Sequence, residues 1–586
     1  MHSTMQEIPL SVARIFEYGR TVNSETTIKT ARSDNRAAKK QEKTSSDSST
    51  ESFNLEIESQ SFREIGARTA ALAHVLDEDL GATGDARVAT FMFNCSEHLE
   101  ILFASACKGA VFHPLNIQLS DEQLIFIINH AQDKVIFADP RLATRLARIV
   151  RHCACVKDIV FISGYLHSGF FPSRVQLHRY EELLDSKPST YEWPALDENT
   201  AAALCYSTST AGAPKGVLFS HRSLYLHSLY LRTTDSFAIS QGSTFLATVP
   251  IYHVLSWGVP LAAFMCGAPL VFIAEENSPE VLAEVIASTH PVMAAGMPSV
   301  WTSLYSHYEN NPPTRMSLRE IFAGGAPAPP NLIRRWEQSF GVDVIHCWGM
   351  TEMSPVGTVA RPPAGLHGEQ RWDYRISQGR FPASVDYRVV NDGSIVTGTD
   401  RNHGEIYVRG PWVTKQYYRS DSVDSFNGED LEYAEDSFIK DEKTGDIWFA
   451  TGDVGSVTHD GFLTVEDRIR DVIRSGGEWI YSVPLENLIM ANEEVYECAV
   501  IGHPDPTWGE RPLAVVRLNE GFEGDADLAL ILAKRMKDIF PQWMIPEYWS
   551  FVKRVDKTSV GKFDKIDLRA NDAHGYFNVI RISLDE

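Results

Sequence analysis

Cysteine is scarce in this sequence, and no two cysteines have the spacing of a metal-binding or disulfide motif. The 586 residues include eight scattered cysteines, and none of them forms a CxxC pair. Structural zinc sites and small disulfide-linked folds both require closely spaced cysteines. We therefore expect no metal cage. Because unpaired thiols are typical of reducing compartments, we predict a cytoplasmic protein.

Long apolar runs are also missing. The longest, from Val259 to Ile273, is interrupted by Gly267 and Pro269 and is too short to span a bilayer. The first residues lack the basic segment and following apolar run of a signal peptide. We expect no transmembrane segment, although peripheral membrane contact and a homodimer stay open.

Positive charge is in deficit, with 54 lysines and arginines against 77 acidic residues and a formal net charge of −23. This balance disfavours nucleic acid or an anionic membrane as the main partner. Hydrophobic residues make up 44% and charged residues 22%, which is typical of soluble globular proteins. The length predicts more than one domain.

The order of patterns along the chain predicts an α/β fold. From about residue 60 to 290, short apolar runs alternate with helical spacing, which favours parallel sheets covered by helices. Short strands with Gly and Asp turns at 379–410 indicate a small β unit. We predict a large N-terminal domain over 1–467, made of parallel α/β subdomains and this β unit. A small, mobile α+β domain is expected over 468–586.

Two segments lack this alternation of strand and helix patterns. Residues 32–52 are polar and of low complexity, and they lie between strand-like runs at 26–30 and 53–58, so we predict a flexible enlarged hairpin loop. Residues 421–446 are strongly acidic and irregular, which indicates a solvated surface loop.

A segment of small and hydroxyl residues follows the predicted strand 201–206 and reads STSTAGAPKG. Such a loop exposes backbone N–H groups and hydroxyl donors, and a lysine supplies a mobile charge for phosphate oxygens. The spacing differs from a Walker A loop, and a flexible Ser/Thr turn is the simpler alternative. The candidate phosphate contacts are Thr208, Ser209, Thr210, Gly212, Lys215 and Gly216.

Further motifs follow in a fixed order. They are FLATVPIY with His253, FAGGAP at 322–327, HCWGMTE at 346–352, FATGD at 449–453, DRIRD at 467–471, SGGEWI at 475–480 and KTSVGK at 557–562. Together with the phosphate loop they resemble the core motifs of the acyl-adenylate-forming superfamily, over residues 8 to 580. The loop departs from the family pattern at Ser209, where glycine is usual, and at Ala211, where threonine is usual.

This resemblance implies ATP, Mg²⁺ and coenzyme A as ligands and gives the motif residues roles. Lys562, Glu352 and His253 are the catalytic candidates, with Lys562 bridging the substrate carboxylate and the α-phosphate. Glu352 and Thr210 would hold Mg²⁺, and Asp453 would bind the ribose hydroxyls. The other nucleotide and coenzyme A contacts implied are Gly325, Ala326, Trp348, Gly349, Met350, Thr351, Arg468, Arg474, Gly476, Gly477 and Trp479.

The acid substrate is expected to be a fatty acid. Amino-acid-activating members usually carry an Asp near the position of His253, and none is present in PIYHVLSWG. The apolar run around Trp257 resembles fatty-acyl-CoA synthetases, in which an aromatic residue gates the acyl tunnel. The alternatives are a fatty-acyl-AMP ligase that loads a carrier protein, an aryl-acid CoA ligase, and a catalytically silent nucleotide-binding homologue.

Overall fold

The computed structural model describes residues 1, 3–33, 55–164, 168–207, 213–275, 277–391, 393–396, 403–420, 422–423, 425–426, 429–430, 435–557 and 563–584. Most of the insertion predicted at 32–52 lies outside these residues, as do Thr208, Ser209, Thr210, Gly212 and Lys562.

Helices occur along the whole described chain. They are α1 Val12–Val22, α2 Phe62–Glu78, α3 Ser96–Lys108, α4 Asp121–Ala131, α5 Ala143–Val150, α6 Tyr180–Leu184, α7 His221–Leu231, α8 Val259–Cys266, α9 Pro279–Thr289, α10 Pro298–Asn310, α11 Pro330–Phe340, α12 Gly368–Ile376, α13 Ser482–Met490, α14 Ala526–Met536 and α15 Lys565–Ala573. Short 3₁₀ turns lie at Pro140–Leu142, Ser168–Phe170, Thr351–Met353, Glu435–Ser437 and Gln542–Met544.

Strands alternate with these helices. They are β1 Thr27–Ser33, β2 Leu55–Ser61, β3 Arg87–Phe91, β4 Val111–Pro114, β5 Val135–Ala138, β6 Asp158–Phe161, β7 Gln176–Arg179, β8 Ala201–Ser207, β9 Lys215–Ser220, β10 Phe245–Ala247, β11 Leu270–Ile273, β12 Met293–Gly296, β13 Glu320–Ala323, β14 Asp343–Gly349, β15 Val356–Val359, β16 Gly379–Arg380, β17 Asp386–Asn391, β18 Ser394–Ile395, β19 Gly404–Arg409, β20 Ser425–Phe426, β21 Glu429–Asp430, β22 Phe438–Lys440, β23 Ile447–Val457, β24 Phe462–Arg468, β25 Ile473–Ser475, β26 Glu478–Ile480, β27 Val495–Asp505, β28 Gly509–Leu518, β29 Tyr548–Phe551 and β30 Ile580–Arg581.

Local signals in the sequence explain where several helices begin. Ser61 accepts a hydrogen bond from the backbone N–H of Glu64, whose carboxylate bonds back to Ser61, so a capping box starts α2. Ser120 and Gln123 form the same arrangement at α4. The parallel strands are short apolar runs such as VIFA in β5 and LVFI in β11, with every residue buried, because helices cover both faces.

Two mainly parallel sheets form the large domain. The first runs in the order β7-β6-β5-β3-β4-β8-β9, with only β9 antiparallel to its neighbour. The second contains the parallel set β14-β13-β12-β10-β11-β1, and β2 pairs antiparallel with β1 as the predicted hairpin. Antiparallel strands β15, β16 and β24 then connect this set to β23, β19, β17 and β18, which form the predicted β unit.

The C-terminal part has a separate sheet, β26-β25-β28-β29-β30, with β27 paired to β28. It is joined to β24 by buried polar contacts. The carboxylate of Asp467 accepts hydrogen bonds from the backbone N–H and the hydroxyl of Ser482, at 2.6 and 2.7 Å. Lys565 donates to the same hydroxyl and pairs with Glu486 at 2.7 Å.

The predicted fold class is confirmed, since a large domain of parallel sheets is followed by a smaller α+β domain. The prediction of an irregular loop at 421–446 is wrong in part, because β22 pairs with β23 and adds a strand to the second sheet. The acidic composition of the segment gave no sign of this strand. Among the described residues, no helix is both long enough and apolar enough to cross a bilayer.

Candidate active site

A cavity of about 650 Å³ lies between the two domains. Its lining includes Gly325, Ala326, Trp348, Gly349 and Asp453 from the large domain and Arg468 at the end of β24, all of which are sequence candidates. Its lining from the small domain includes Glu486, Asn487, Lys557, Phe563 and Lys565. The structure therefore brings together candidates from four separate motifs and the residues that flank the KTSVGK segment.

Glycine at 324 and 325 lets the chain pass close to other backbone at the end of β13. A Cβ on Gly324 would lie 2.9 Å from the carbonyl oxygen of Cys347 and 3.0 Å from the indole of Trp257. Gly325 has a φ of +81°, in the left-handed region that glycine favours. The loop after it is held by His346, which accepts a hydrogen bond from the N–H of Ala328 at 3.2 Å. Burial lowers the pKa of His346 to about 4, so the ring stays neutral and can accept.

Asp453 is a buried carboxylate on the cavity that contacts two other side chains. It lies on β23 opposite Arg468 of β24, and it is only 4% exposed. The indole N–H of Trp348 donates to Oδ2 at 2.7 Å, and Nε of Arg468 lies 2.6 Å from Oδ1. An ionised carboxylate offers about four lone-pair sites. Asp453 can therefore accept two further hydrogen bonds, as a pair of ribose hydroxyls would require.

Trp348 contributes an aromatic wall to the same cavity. Its ring meets Phe381 edge-on at 5.8 Å, and its N–H is fixed by Asp453. Gly349 follows at a bulge, where a Cβ would lie 1.9 Å from the carbonyl oxygen of Pro355. The indole is therefore held in one orientation, which suits stacking on a planar base.

Glu352 lies in the turn after Gly349, following Met350 and Thr351. It is 7% exposed, and its Oε1 accepts a hydrogen bond from the hydroxyl of Tyr417 at 2.8 Å. Within the described part of the chain, no Lys, Arg or His lies within 4.0 Å of this carboxylate. A buried carboxylate without a cationic partner is costly. The site therefore fits Mg²⁺, which takes few protein carboxylates and completes its shell with nucleotide phosphates and water.

Lys215 and Gly216 lie at the start of β9, directly after the candidate phosphate loop. The Lys215 ammonium is 5.3 Å from the centre of the Tyr417 ring. The carbonyl oxygen of Gly216 accepts a hydrogen bond from the N–H of Tyr418 at 2.7 Å. Lys215 and Glu352 thus share one aromatic neighbour, Tyr417, which sequence reasoning missed. The run RGPWVTKQYY has no motif that would have marked this tyrosine in the sequence.

Trp257 ends a turn of unusual backbone geometry. Val254, Leu255, Ser256 and Trp257 have φ values of 35°, 51°, 55° and 54°, all in the left-handed region. Each such residue costs roughly 1–2 kcal/mol, and such strain concentrates at functional sites. The turn places the indole, 9% exposed, against Gly324. His253 immediately precedes the turn, with its ring 4.9 Å from that of Tyr252.

The other small-domain candidates lie away from this cavity. Arg474, Gly476, Gly477 and Trp479 belong to the hairpin β25–β26, and none of them contributes to its lining. The N–H of Gly476 donates to the carbonyl oxygen of Trp508 at 2.8 Å. Lys557 and Phe563, which flank the segment containing Lys562, do line the cavity and pair with each other.

Comparison with known proteins agrees with this geometry. The model of the AMP-binding enzyme family matches residues 34–418, and the model of the AMP-binding enzyme C-terminal domain matches residues 484–562. The chain belongs to the AMP-binding enzyme family.

Individual relatives narrow the class within this family. The 3-methylmercaptopropionyl-CoA ligase of Ruegeria lacuscaerulensis is 36% identical over 512 residues, covering 86% of this chain and 90% of that protein. The medium-chain-fatty-acid–CoA ligase of Ectopseudomonas oleovorans is 36% identical over 518 residues, covering 88% and 91%. The prediction of an enzyme of the acid–thiol ligase class is confirmed.

A solved structure supports the fold. Anthranilate CoA ligase AuaEII in complex with anthranoyl-AMP superposes with a TM-score of 0.80 at 19% identity, covering 98% of this chain and 100% of that chain. At this identity the similarity bears on the architecture of both domains, and it leaves the acid substrate of this chain open.

Replacing Asp453 with alanine should weaken ATP binding by about 1.5–3 kcal/mol, because a nucleotide would lose a charged acceptor. Isothermal titration with ATP measures this change, and Asp436→Ala, which removes an exposed acid elsewhere, serves as the control. Unchanged ATP affinity in Asp453→Ala would show that this carboxylate only braces Trp348 and Arg468.

Proposed function

We propose that this enzyme activates a fatty acid with ATP to an acyl-adenylate and then transfers the acyl group to coenzyme A. The observation that carries the proposal is the shared cavity, where Trp348, Asp453 and Arg468 meet the flanks of the Lys562 segment. Membership of the AMP-binding enzyme family supports ATP as the activating nucleotide. The named activities of the two relatives favour a CoA thioester as product.

In the first half-reaction a carboxylate oxygen of the acid attacks the α-phosphorus of ATP, and pyrophosphate leaves. Trp348 would stack on the adenine, and Asp453 would accept from the ribose hydroxyls. Lys215 and Lys562 would neutralise charge on the phosphates and on the incoming carboxylate, which is where charge changes in the transition state. Bound Mg²⁺, held by Glu352 with Thr210 as the weaker second candidate, would supply further charge neutralisation on the phosphates.

In the second half-reaction the coenzyme A thiolate attacks the carbonyl carbon of the mixed anhydride, and AMP leaves. The hairpin carrying Gly476 and Gly477 lies away from the cavity while the Lys562 flanks lie on it. We infer that the small domain, over 468–586, turns between the two steps about Arg470, which lies where the adenylate-forming superfamily resembled here has its inter-domain hinge. A lid-type rotation would move Lys562 away from the cavity and bring the segment 476–479 to it.

A fatty acid is favoured as the acid substrate by the apolar environment of Trp257. Leu255, Val259 and Leu261 around it are all buried in one hydrophobic core. The two relatives named above act on medium-chain fatty acids and on methylmercaptopropionate, according to their names, and both acids are unbranched chains. A binding surface for an alkyl chain must be apolar. We propose a cytoplasmic location for the reaction.

The direct test is pyrophosphate release from a panel of acids, with and without coenzyme A. We expect release with saturated fatty acids and formation of acyl-CoA and AMP when coenzyme A is added. Release with benzoate-type acids alone would indicate an aryl-acid CoA ligase. Release without any turnover on coenzyme A would indicate a ligase that loads a carrier protein. A folded enzyme that binds ATP and releases no pyrophosphate with any acid would contradict the proposed activity.

Trp257→Ala should change the chain-length preference and leave the KM for ATP close to that of wild type. Contacts with the acyl chain would be lost, and each buried methylene is worth about 0.8 kcal/mol. The measurement is kcat/KM across fatty acids of increasing length, beside the KM for ATP. Trp372→Ala provides the control, because Trp372 packs against Arg334 rather than the glycine loop. A shift in the ATP KM with an unchanged chain-length profile would exclude Trp257 from the acyl path.

A further inference from the structure

The segment 414–418 connects two parts of the candidate phosphate site that are far apart in sequence. At one end, the backbone N–H of Thr414 donates to the carbonyl oxygen of Glu352 at 2.8 Å. At the other end, the N–H of Tyr418 donates to the carbonyl oxygen of Gly216 at 2.7 Å. The backbone of this segment is therefore fixed both to the turn that carries Glu352 and to the strand that carries Lys215.

Tyr417, between these two anchors, contacts both charged side chains. Its hydroxyl donates to Oε1 of Glu352 at 2.8 Å, and its ring centre lies 5.3 Å from the Lys215 ammonium. The residue is 7% exposed, and its ring meets Phe438 edge-on at 5.2 Å, so it has little room to move. The hydroxyl is therefore held against one oxygen of the Glu352 carboxylate.

We propose that Tyr417 is a positioning residue for the metal–triphosphate site. The hydroxyl holds one oxygen of the Glu352 carboxylate, and Oε2 would then be available to a divalent cation. The ring supports the Lys215 ammonium by a cation–π contact, which fixes the spacing between a cation ligand and a phosphate ligand. The identity of the nucleotide rests on the proposed function, whereas the orientation of Glu352 by Tyr417 can be tested separately from it.

The chain offers a matched pair of variants for the test. Tyr417→Phe removes only the hydroxyl, and Tyr417→Leu removes the hydroxyl and the aromatic ring. Tyr418→Phe makes the same chemical change one residue later, at a hydroxyl that has no hydrogen-bond partner in the described structure. All four proteins are compared as full chains, with thermal unfolding midpoints to confirm that each is folded.

The primary readout is binding of Mn²⁺, followed by electron paramagnetic resonance in the presence of α,β-methylene-ATP. Loss of a partner that orients a metal ligand typically weakens metal binding by about 10–100-fold, and we expect this for Tyr417→Phe. Nucleotide affinity without metal should remain near wild type in Tyr417→Phe. It should fall about 2–5-fold in Tyr417→Leu, which also loses the cation–π contact.

Two results would overturn the proposal. Wild-type Mn²⁺ affinity in Tyr417→Phe would show that the hydroxyl does not orient Glu352, and an equal loss in Tyr418→Phe would show a general effect on the segment. The Mg²⁺ concentration needed for half-maximal pyrophosphate release should rise in the two Tyr417 variants and stay at the wild-type value in Tyr418→Phe. Failure of the proposed function is recognised separately, because a wild-type chain that releases no pyrophosphate with any acid still gives a readable Mn²⁺ comparison.

Discussion

The burial of carboxylates between the structural units is the constraint on which the site depends. Asp453, Asp467, Glu352 and Glu486 are all largely buried, and an unpartnered buried carboxylate is costly. Asp453 is satisfied by Trp348 and Arg468, which joins the end of the parallel sheet to the β23–β24 ribbon. Asp467 and Glu486 are satisfied by Ser482 and Lys565 of the small domain. Asp453, Asp467 and Glu486 all line the cavity, so the contacts that satisfy these three carboxylates also shape its walls.

The proposed rotation of the small domain would act on the polar contacts at this junction. Asp467 is the second-last residue of β24 and lies three residues before Arg470, the proposed hinge. Its partner Ser482 lies on the first helix of the small domain. Rotation about Arg470 would exchange the contacts across this junction while leaving Asp453, Trp348 and Glu352 in place. One nucleotide site can in this way serve two successive reactions with different parts of the small domain.

Local sequence signals predicted the elements well, because those signals act within a few residues. The βαβ alternation and the β1–β2 hairpin follow from apolar spacing that neighbouring residues reveal, whereas the glycine-bearing loops at 324–325 and 349 were predicted from the resemblance to the adenylate-forming superfamily. Tyr417, Lys565 and the left-handed turn ending at Trp257 could not be predicted, since their roles come from contacts with residues tens or hundreds of positions away. The pairing of β22 with β23 is local in sequence, and it was missed because the acidic composition of this segment indicates a loop.

The central claim, that one site is used in two domain orientations, is tested most directly by separating the half-reactions of Lys562→Ala in single-turnover assays. Pyrophosphate release should fall by roughly 100-fold or more, as expected on losing one electrostatic partner in the transition state. Supplied with preformed acyl-AMP and coenzyme A, the same variant should form acyl-CoA near the wild-type rate, and exposed Lys553→Ala should be unaffected in both assays. Equal loss of both half-reactions in a folded Lys562→Ala enzyme would contradict the account.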